Sequence, residues 1–266
     1  MFNGYDFIYD GKSSISENLK MLYTDVDVFS SVKSIPDKEF SLFKTNQSSR
    51  WNLSGITMSE PLSFPIEIIM HSDDIDFYAN GSPVLERNRL SKIRHWLFDK
   101  TKFAKLQILT DDMRDMYFMA IFKDVEDIEA GGDVYGFKAT VLCDTTGAYE
   151  EKNITKTSSG SLTFPIQCLQ DGIYEVMPTY IINMIDSDVT IKVNGIDMII
   201  NSVTPGSTIT IDTEKLIAKS SEGDNLYTNN RFNRVFPTFV FGRNIISVDG
   251  KCKLTVNYKM VREVGC

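Results

Sequence analysis

The sequence predicts a mainly β fold in two domains: an N-terminal α+β domain with one main α-helix (residues 1–150) and a C-terminal β-sandwich (residues 151–266). Three observations predict it. Short runs of apolar residues alternate with polar ones, as strands do when one face covers a core. One stretch, residues 83–99, repeats its apolar residues at helical spacing instead. And the composition shifts at "TTGAYEEKNITKTSSGS" (145–161), a polar, small and charged segment that reads as a linker.

Taken in chain order, "SPVLERNRLSKIRHWLFDK" offers Ser82 as N-cap and Pro83 at the first helical position. Leu90, Ile93 and Leu97 then recur on one face beside Trp96. "AKLQIL", a turn at Asp111-Asp112 and "MYFMAIFKDV" follow as strand, turn and strand, and "YGFKATVLCD" (135–144) as another strand. In the second half, Val189, Ile191 and Val193 alternate up to Asn194-Gly195, and Ile196 to Ile200 return from it. Asn-Gly between two such runs signals a two-residue hairpin turn, because type I′ geometry needs positive φ at both central residues. "STITID" gives a further strand. At the end, "FPTFVFGRNIISVDGKCKLTVNYKMVREVGC" reads as a hairpin turning at Asp249-Gly250, with Leu254, Val256, Tyr258 and Met260 on one face.

With 266 residues the chain can bury a substantial core without disulfides. Its net charge of −8 disfavours binding to phosphate backbones, so no nucleic-acid partner is expected. No signal peptide and no run long enough to span a bilayer is present, so a soluble chain made in the cytosol, without membrane insertion, is expected. Cys143, Cys168, Cys252 and Cys266 lack metal-ligand spacing and read as reduced, mostly buried thiols.

Candidate chemistry is sparse. Glycine-rich phosphate loops, nucleophile elbows and zinc-protease motifs are absent from the sequence. His95 sits among cations in the helix and His71 ends an apolar run, which suits surface and strand-end residues better than general bases. Asp73, Asp74 and Asp76, and Asp111, Asp112 and Asp115, lack the glycine and bidentate glutamate of a calcium loop. No catalytic residue, cofactor or metal is therefore expected. Charge is more informative. Arg87, Arg89, Lys92, Arg94, Lys100, Lys102 and Lys105 form a basic helix and exit, while Asp124, Glu126, Asp127, Glu129 and Asp133 follow close behind. Such a chain can pair head to tail with copies of itself. Tyr174, Tyr180, Tyr227 and Phe232 are candidate glycan or partner contacts, since aromatic rings stack on sugars.

Several local patterns together resemble one family, the distal tail proteins of bacteriophages that infect Gram-positive bacteria (the siphophage-type tail component). Phe7, Tyr9, Gly11 and Ser14 stand in its opening "F-x-F-x-G-x-x-S" pattern. Arg94-His95-Trp96-Leu97, Leu106 to Leu109, Asp111-Asp112 and Tyr117 look like its helix, strand, acidic turn and aromatic strand. Cys143-Asp144 and Tyr149 are similar to its domain-closing signature, with the proline missing and two extra residues between. Pro237, Gly242, Asn244 and the strand Lys253 to Val261 look like its end.

The resemblance implies a structural virion protein at the tail tip or baseplate: a homo-hexameric hub ring built by an N-terminal β-sandwich-like domain with one helix, ringed by galectin-like C-terminal β-sandwiches. Its implied partners are the tail tube protein, a tail-associated hub or lysin protein, and receptor-binding or other baseplate proteins. Candidate ring-interface residues are then Phe7, Gly11, Ser14, Arg87, Arg89, Arg94 and Trp96. The alternative reading is a carbohydrate-binding β-sandwich that recognises cell-surface glycans. A third is a hydrolase of cell-wall glycans.

Overall fold

Asp10 and Gly11 both hold positive φ, 51° and 77°, and so turn β1 (Phe7–Tyr9) directly into β2 (Lys12–Ser13). This hairpin belongs to the first of two compact units into which the chain divides, one running up to Tyr149 and the other spanning Glu150–Arg262. The computed structural model describes residues 5–23, 38–44, 50–58, 60–71, 84–111, 113–169, 175–228 and 230–263.

After β2 come a 3-10 turn (Ser14–Glu17), β3 (Leu19–Tyr23), β4 (Lys38–Phe43), β5 (Asn52–Met58), β6 (Ser63–Met70), one α-helix, α1 (Arg87–Leu97), β7 (Ala104–Ile108), β8 (Met116–Ala130) and β9 (Asp133–Cys143). Seven strands pair antiparallel in the order β2-β1-β7-β8-β9-β6-β3. Tyr5, just before β1, bridges back to Met21 of β3, so the sheet curls until its two ends meet. Phe64, Ile66, Ile68 and Met70 alternate inward along β6. They meet Phe7, Tyr9, Phe118, Phe122 and Phe137 from the facing strands and Ile93, Trp96 and Leu97 from α1. Gly136 lets β9 lie against β6 there: a Cβ would sit 2.3 Å from the Ile68 carbonyl oxygen.

The helix is shorter than the sequence pattern suggests. Ser82 and Pro83 lie outside the described residues, and α1 begins at Arg87 with no side-chain cap. The cause is tertiary: the Leu85 amide donates to the Val134 carbonyl of β9 at 2.8 Å, and the Leu85 side chain is buried. That bond holds 84–86 off helical geometry.

The second unit is all strand and turn among the described residues. β10 (Ala148–Cys168), nearly all of which lies in this unit, is followed by β11 (Thr179–Met184), β12 (Val189–Val193), β13 (Ile196–Ile200), β14 (Thr208–Asp212), β15 (Ile217–Ser220) and β16 (Gly242–Arg262). Asn194 and Gly195 have φ of 51° and 90° and close the β12–β13 hairpin.

Two sequence expectations fail here. The 145–161 segment is not a linker but most of β10, and Asp249-Gly250 is not a turn but the middle of a continuous β16. Each error has its cause in a distant partner. β10 and β16 run antiparallel side by side, linked along their polar face by Asn153–Asn257 (2.5 Å), Thr155–Thr255 (2.9 Å) and Thr163–Ser247 (2.9 Å) bonds. A strand whose outward residues are Asn, Thr and Ser looks like a linker in composition. Gly250, at φ 108°, marks where β16 changes partners, from β12 (Ile246–Asp249) to β11 (Cys252–Asn257). A Cβ there would lie 2.6 Å from the Asp188 carbonyl oxygen, so the glycine serves close approach rather than reversal.

Two sheets thus share β16: β15-β14-β11-β16 and β13-β12-β16. Between them lie Tyr180, Ile182, Ile191, Met198, Ile209, Phe239, Val248, Leu254 and Val256, all fully or almost fully buried.

Candidate functional site

The residues singled out in the N-terminal half converge in space, and most of them build the unit from inside. Phe7 is fully buried and stacks on Trp96 with ring centroids 6.0 Å apart. The Trp96 indole N–H donates to the Tyr9 carbonyl at 2.9 Å, and the Phe7 amide donates to the buried Ser14 hydroxyl at 2.9 Å. Phe7, Ser14 and Trp96 are therefore corrected from interface residues to core residues: their contacts tie β1, the 3-10 turn and α1 together. Gly11 supplies the positive φ of the β1–β2 turn and is exposed.

Charges extend the same joint outward. Glu17 pairs with Lys12 at 2.6 Å and with Arg89, whose guanidinium also donates to the Glu17 carbonyl. Lys12 lies 4.7 Å from the centre of the Trp96 ring. The basic and acidic runs meet within the unit, where Arg94 of α1 pairs with Asp127 of β8. Around them, Phe98, Asp99, Val125, Glu126 and Glu129 line a shallow groove of about 740 Å³. Arg87 opens α1 and is exposed. His95 is exposed and hydrogen-bonded to Asp99 at 2.9 Å, a surface pair one helical turn apart.

In the C-terminal half the proposed sugar platform dissolves. Tyr174 lies outside the described residues. Tyr180 is fully buried and its hydroxyl donates to the Pro237 carbonyl at 3.0 Å, with burial driving its acidity far below that of a free phenol. Phe232 is also buried, edge-on to Phe236. Both are corrected from contact residues to core. Tyr227 alone of the three described is exposed, and its hydroxyl accepts the Ala218 amide at 2.7 Å. A groove of about 510 Å³ on this unit is lined by Asn153, Met177, Thr179, Glu214 and Asn257, with its charges paired in Lys215–Asp212 and Lys259–Glu214.

The perturbed acids are structural too. Asp224 accepts from the Thr204 amide (3.1 Å) and hydroxyl (3.3 Å), the Ser220 hydroxyl (3.3 Å) and Arg231 (3.4 Å). The Thr204 amide leads these in holding its carboxyl below the ordinary 3.8. A carboxyl with a depressed folded-state value stabilises the fold above its unfolded value and loses that contribution as pH falls through the folded one. The wild type should therefore lose stability progressively below pH 3.8. Asp224→Asn should be less stable at neutral pH and show a flatter acid limb, as read from unfolding midpoints across the acid range. An acid limb identical to wild type would remove Asp224 from the account. Cys143, Cys168 and Cys252 are buried thiols, and burial pushes Cys252 up to about 11, away from thiolate reactivity; Cys266 lies outside the described residues. Among the described residues no cluster of His, Cys, Asp and Glu could hold a metal ion, and no helix is long and apolar enough to cross a membrane.

One surface escaped the sequence reading. β4 and β5 form a separate two-stranded ribbon, with Phe40, Leu42, Trp51 and Leu53 exposed upon it. The alternation of Phe40 with Leu42, returning in Leu53, was its available signal.

Among the described residues the chain is thus a curled sheet carrying one helix and a second unit of strand and turn, with paired charges and an apolar ribbon on its surface. Residues 2–145 match the model of the phage tail protein N-terminal domain, and residues 147–258 match that of the phage tail C-terminal domain. The chain belongs to this phage tail protein family and is a structural component of the virion tail. Among solved structures, it is similar to the SPP1 Dit (gp 19.1) protein, described as a paradigm of the hub adsorption apparatus in phages infecting Gram-positive bacteria. The TM-score is 0.65 at 10% identity, over 97% of this chain and 100% of that one. It is also similar to a chain of the phage p2 baseplate in its activated conformation with Sr, with a TM-score of 0.50 at 9% identity over 98% of each chain. Comparison with curated proteins gives no match.

Proposed function

We propose that this protein forms a six-fold hub ring at the distal end of a phage tail, where it joins the tail tube to the adsorption apparatus. The observation that carries this reading is the extent of the likeness to the SPP1 hub protein: it runs through both units, over 97% of this chain and all of the other. The chemistry is consistent with it, since the buried polar groups and perturbed acids described above serve folding. In such a ring each subunit presents two different faces, each used once, and closure leaves neither bare. The tube would meet one side of the ring, the hub or lysin protein the other, and receptor-binding or other baseplate proteins the peripheral unit.

Negative-stain micrographs and native mass spectrometry of the purified chain should show closed rings of one discrete mass. A single subunit at high concentration that also ignores tail-tube and hub proteins offered to it would overturn the reading. Reversing Arg87, Arg89 and Arg94 to Glu should shift mass from ring to subunit, by breaking the Arg89–Glu17 and Arg94–Asp127 supports and inverting the charge that α1 shows to a neighbour. A ring of unchanged mass would remove α1 from the interface.

A further inference from the structure

The β4–β5 ribbon concentrates more exposed apolar surface than any other element described. Phe40 and Leu42 are two apart on β4 and share a face. Leu42 sits opposite Leu53, just past the register shift between Ser41 and Leu42, and Trp51 immediately precedes β5. These four are 58, 54, 65 and 52% exposed for Phe40, Leu42, Trp51 and Leu53 respectively. Among the described residues, β4 and β5 pair only with each other. A lone two-stranded ribbon is marginal in water, so an apolar face on one is stabilised by being covered.

Large side chains present roughly 150–250 Å² each, so four at half exposure leave roughly 400 Å² bare. That is about half of what one partner contributes to a standard interface. The charges say what covers it. Lys44, just after β4, and Arg50, just before β5, are exposed at one end of the ribbon. On the same chain, the outer half of the β8–β9 hairpin carries exposed Asp124, Glu126, Glu129 and Asp133, with Val125 exposed at the irregularity in the ladder between Lys123 and Glu126. One chain therefore displays an apolar ribbon with a basic end and an acidic ribbon with an apolar bulge. Complementary surfaces at different places on one chain generate a head-to-tail contact, the kind that closes rings.

We propose that the apolar face of β4–β5 is an inter-subunit contact, covered by the acidic outer half of the β8–β9 hairpin of a second copy of this chain. This rests on the ring reading above and names the surfaces that make the ring. Phe40, Leu42, Trp51 and Leu53 supply the apolar area, and Lys44 and Arg50 set the register against Glu126 and Glu129.

The test uses the full chain, native mass spectrometry and sedimentation, with circular dichroism to check folding. Leu42→Glu with Leu53→Glu should raise the concentration needed for assembly at least about tenfold, leaving mainly single subunits with an unchanged spectrum. If that variant unfolds, a charge exchange decides alone. Lys44→Glu/Arg50→Glu and Glu126→Lys/Glu129→Lys should each assemble poorly, and mixing the two should restore mixed assemblies. A wild-type ring with both sets of variants assembling as the wild type does would overturn this contact and leave the ring reading standing. A wild type that stays a single subunit at high concentration would overturn both.

Discussion

Trp96→Ala is expected to cost the N-terminal unit about 4 kcal/mol of stability. The indole is almost fully buried, stacks on Phe7 and donates to the Tyr9 carbonyl, so truncation opens a cavity and removes a buried hydrogen bond at once. In calorimetry of the full chain, the transition belonging to this unit should fall by on the order of 10 °C while that of the C-terminal unit stays in place. Trp96→Phe should recover most of the loss, because it keeps the ring against Phe7 and forfeits only the hydrogen bond, worth about 1–2 kcal/mol. If Trp96→Ala leaves both transitions unmoved, Trp96 does not anchor α1.

Asn244→Ala should be nearly as damaging, at about 3 kcal/mol, and it should strike the other unit. Asn244 is fully buried. Its amide N–H groups donate to the Val240 carbonyl at 2.8 Å and the Gly242 carbonyl at 3.2 Å, and its oxygen accepts from the Val240 amide at 3.0 Å and from Asn194 at 2.7 Å. Asn194 in turn exchanges bonds with the backbone of Ile245. One side chain therefore fixes the approach to β16 and fastens it to the β12–β13 turn. Asn244→Asp should also destabilise strongly, since it sets a carboxylate against two carbonyl oxygens. The measurement is the C-terminal transition in the same calorimetric scan; no shift in either variant would show that the turn holds without this link.

These two residues explain what the sequence could convey. Trp96 and Asn244 both stand in stretches the sequence singles out, and in the fold both are interior fastenings. The spacing of Phe7, Gly11, Ser14 and Trp96 along the chain does not say whether they face a neighbour or a core. Burial, with the Ser14 hydroxyl and the indole N–H both engaged inside, decides for the core. Tyr180 and Phe232 teach the same lesson: a tyrosine is as well suited to an interior as to a surface once its hydroxyl finds a carbonyl, here that of Pro237.

Local chemistry was legible where it is decided locally. The Asn194-Gly195 hairpin and the inward row Leu254, Val256, Tyr258 and Met260 appear as the pattern implies. Where distant partners decide, composition misled. β10 is polar because its outward residues bond across to β16, and Gly250 is there because Asp188 passes close by. The start of α1 was misplaced for the same reason, since Val134, far along the chain, holds the Leu85 amide. The β4–β5 ribbon was overlooked because its alternation is short, and its exposure emerges only once the rest of the sheet is seen to pair without it.

β16 has one more consequence, for the order of events during synthesis. This strand is the last described strand of its unit, yet it pairs first with β12 and then with β11 and so belongs to both sheets. Until the ribosome has released Gly242–Arg262, β12–β13 and β11–β14–β15 have no common neighbour and must wait with their apolar faces open to chaperones. The seven-strand sheet of the N-terminal unit draws only on strands emitted earlier, so it can close while the second unit still waits for β16 as its latch.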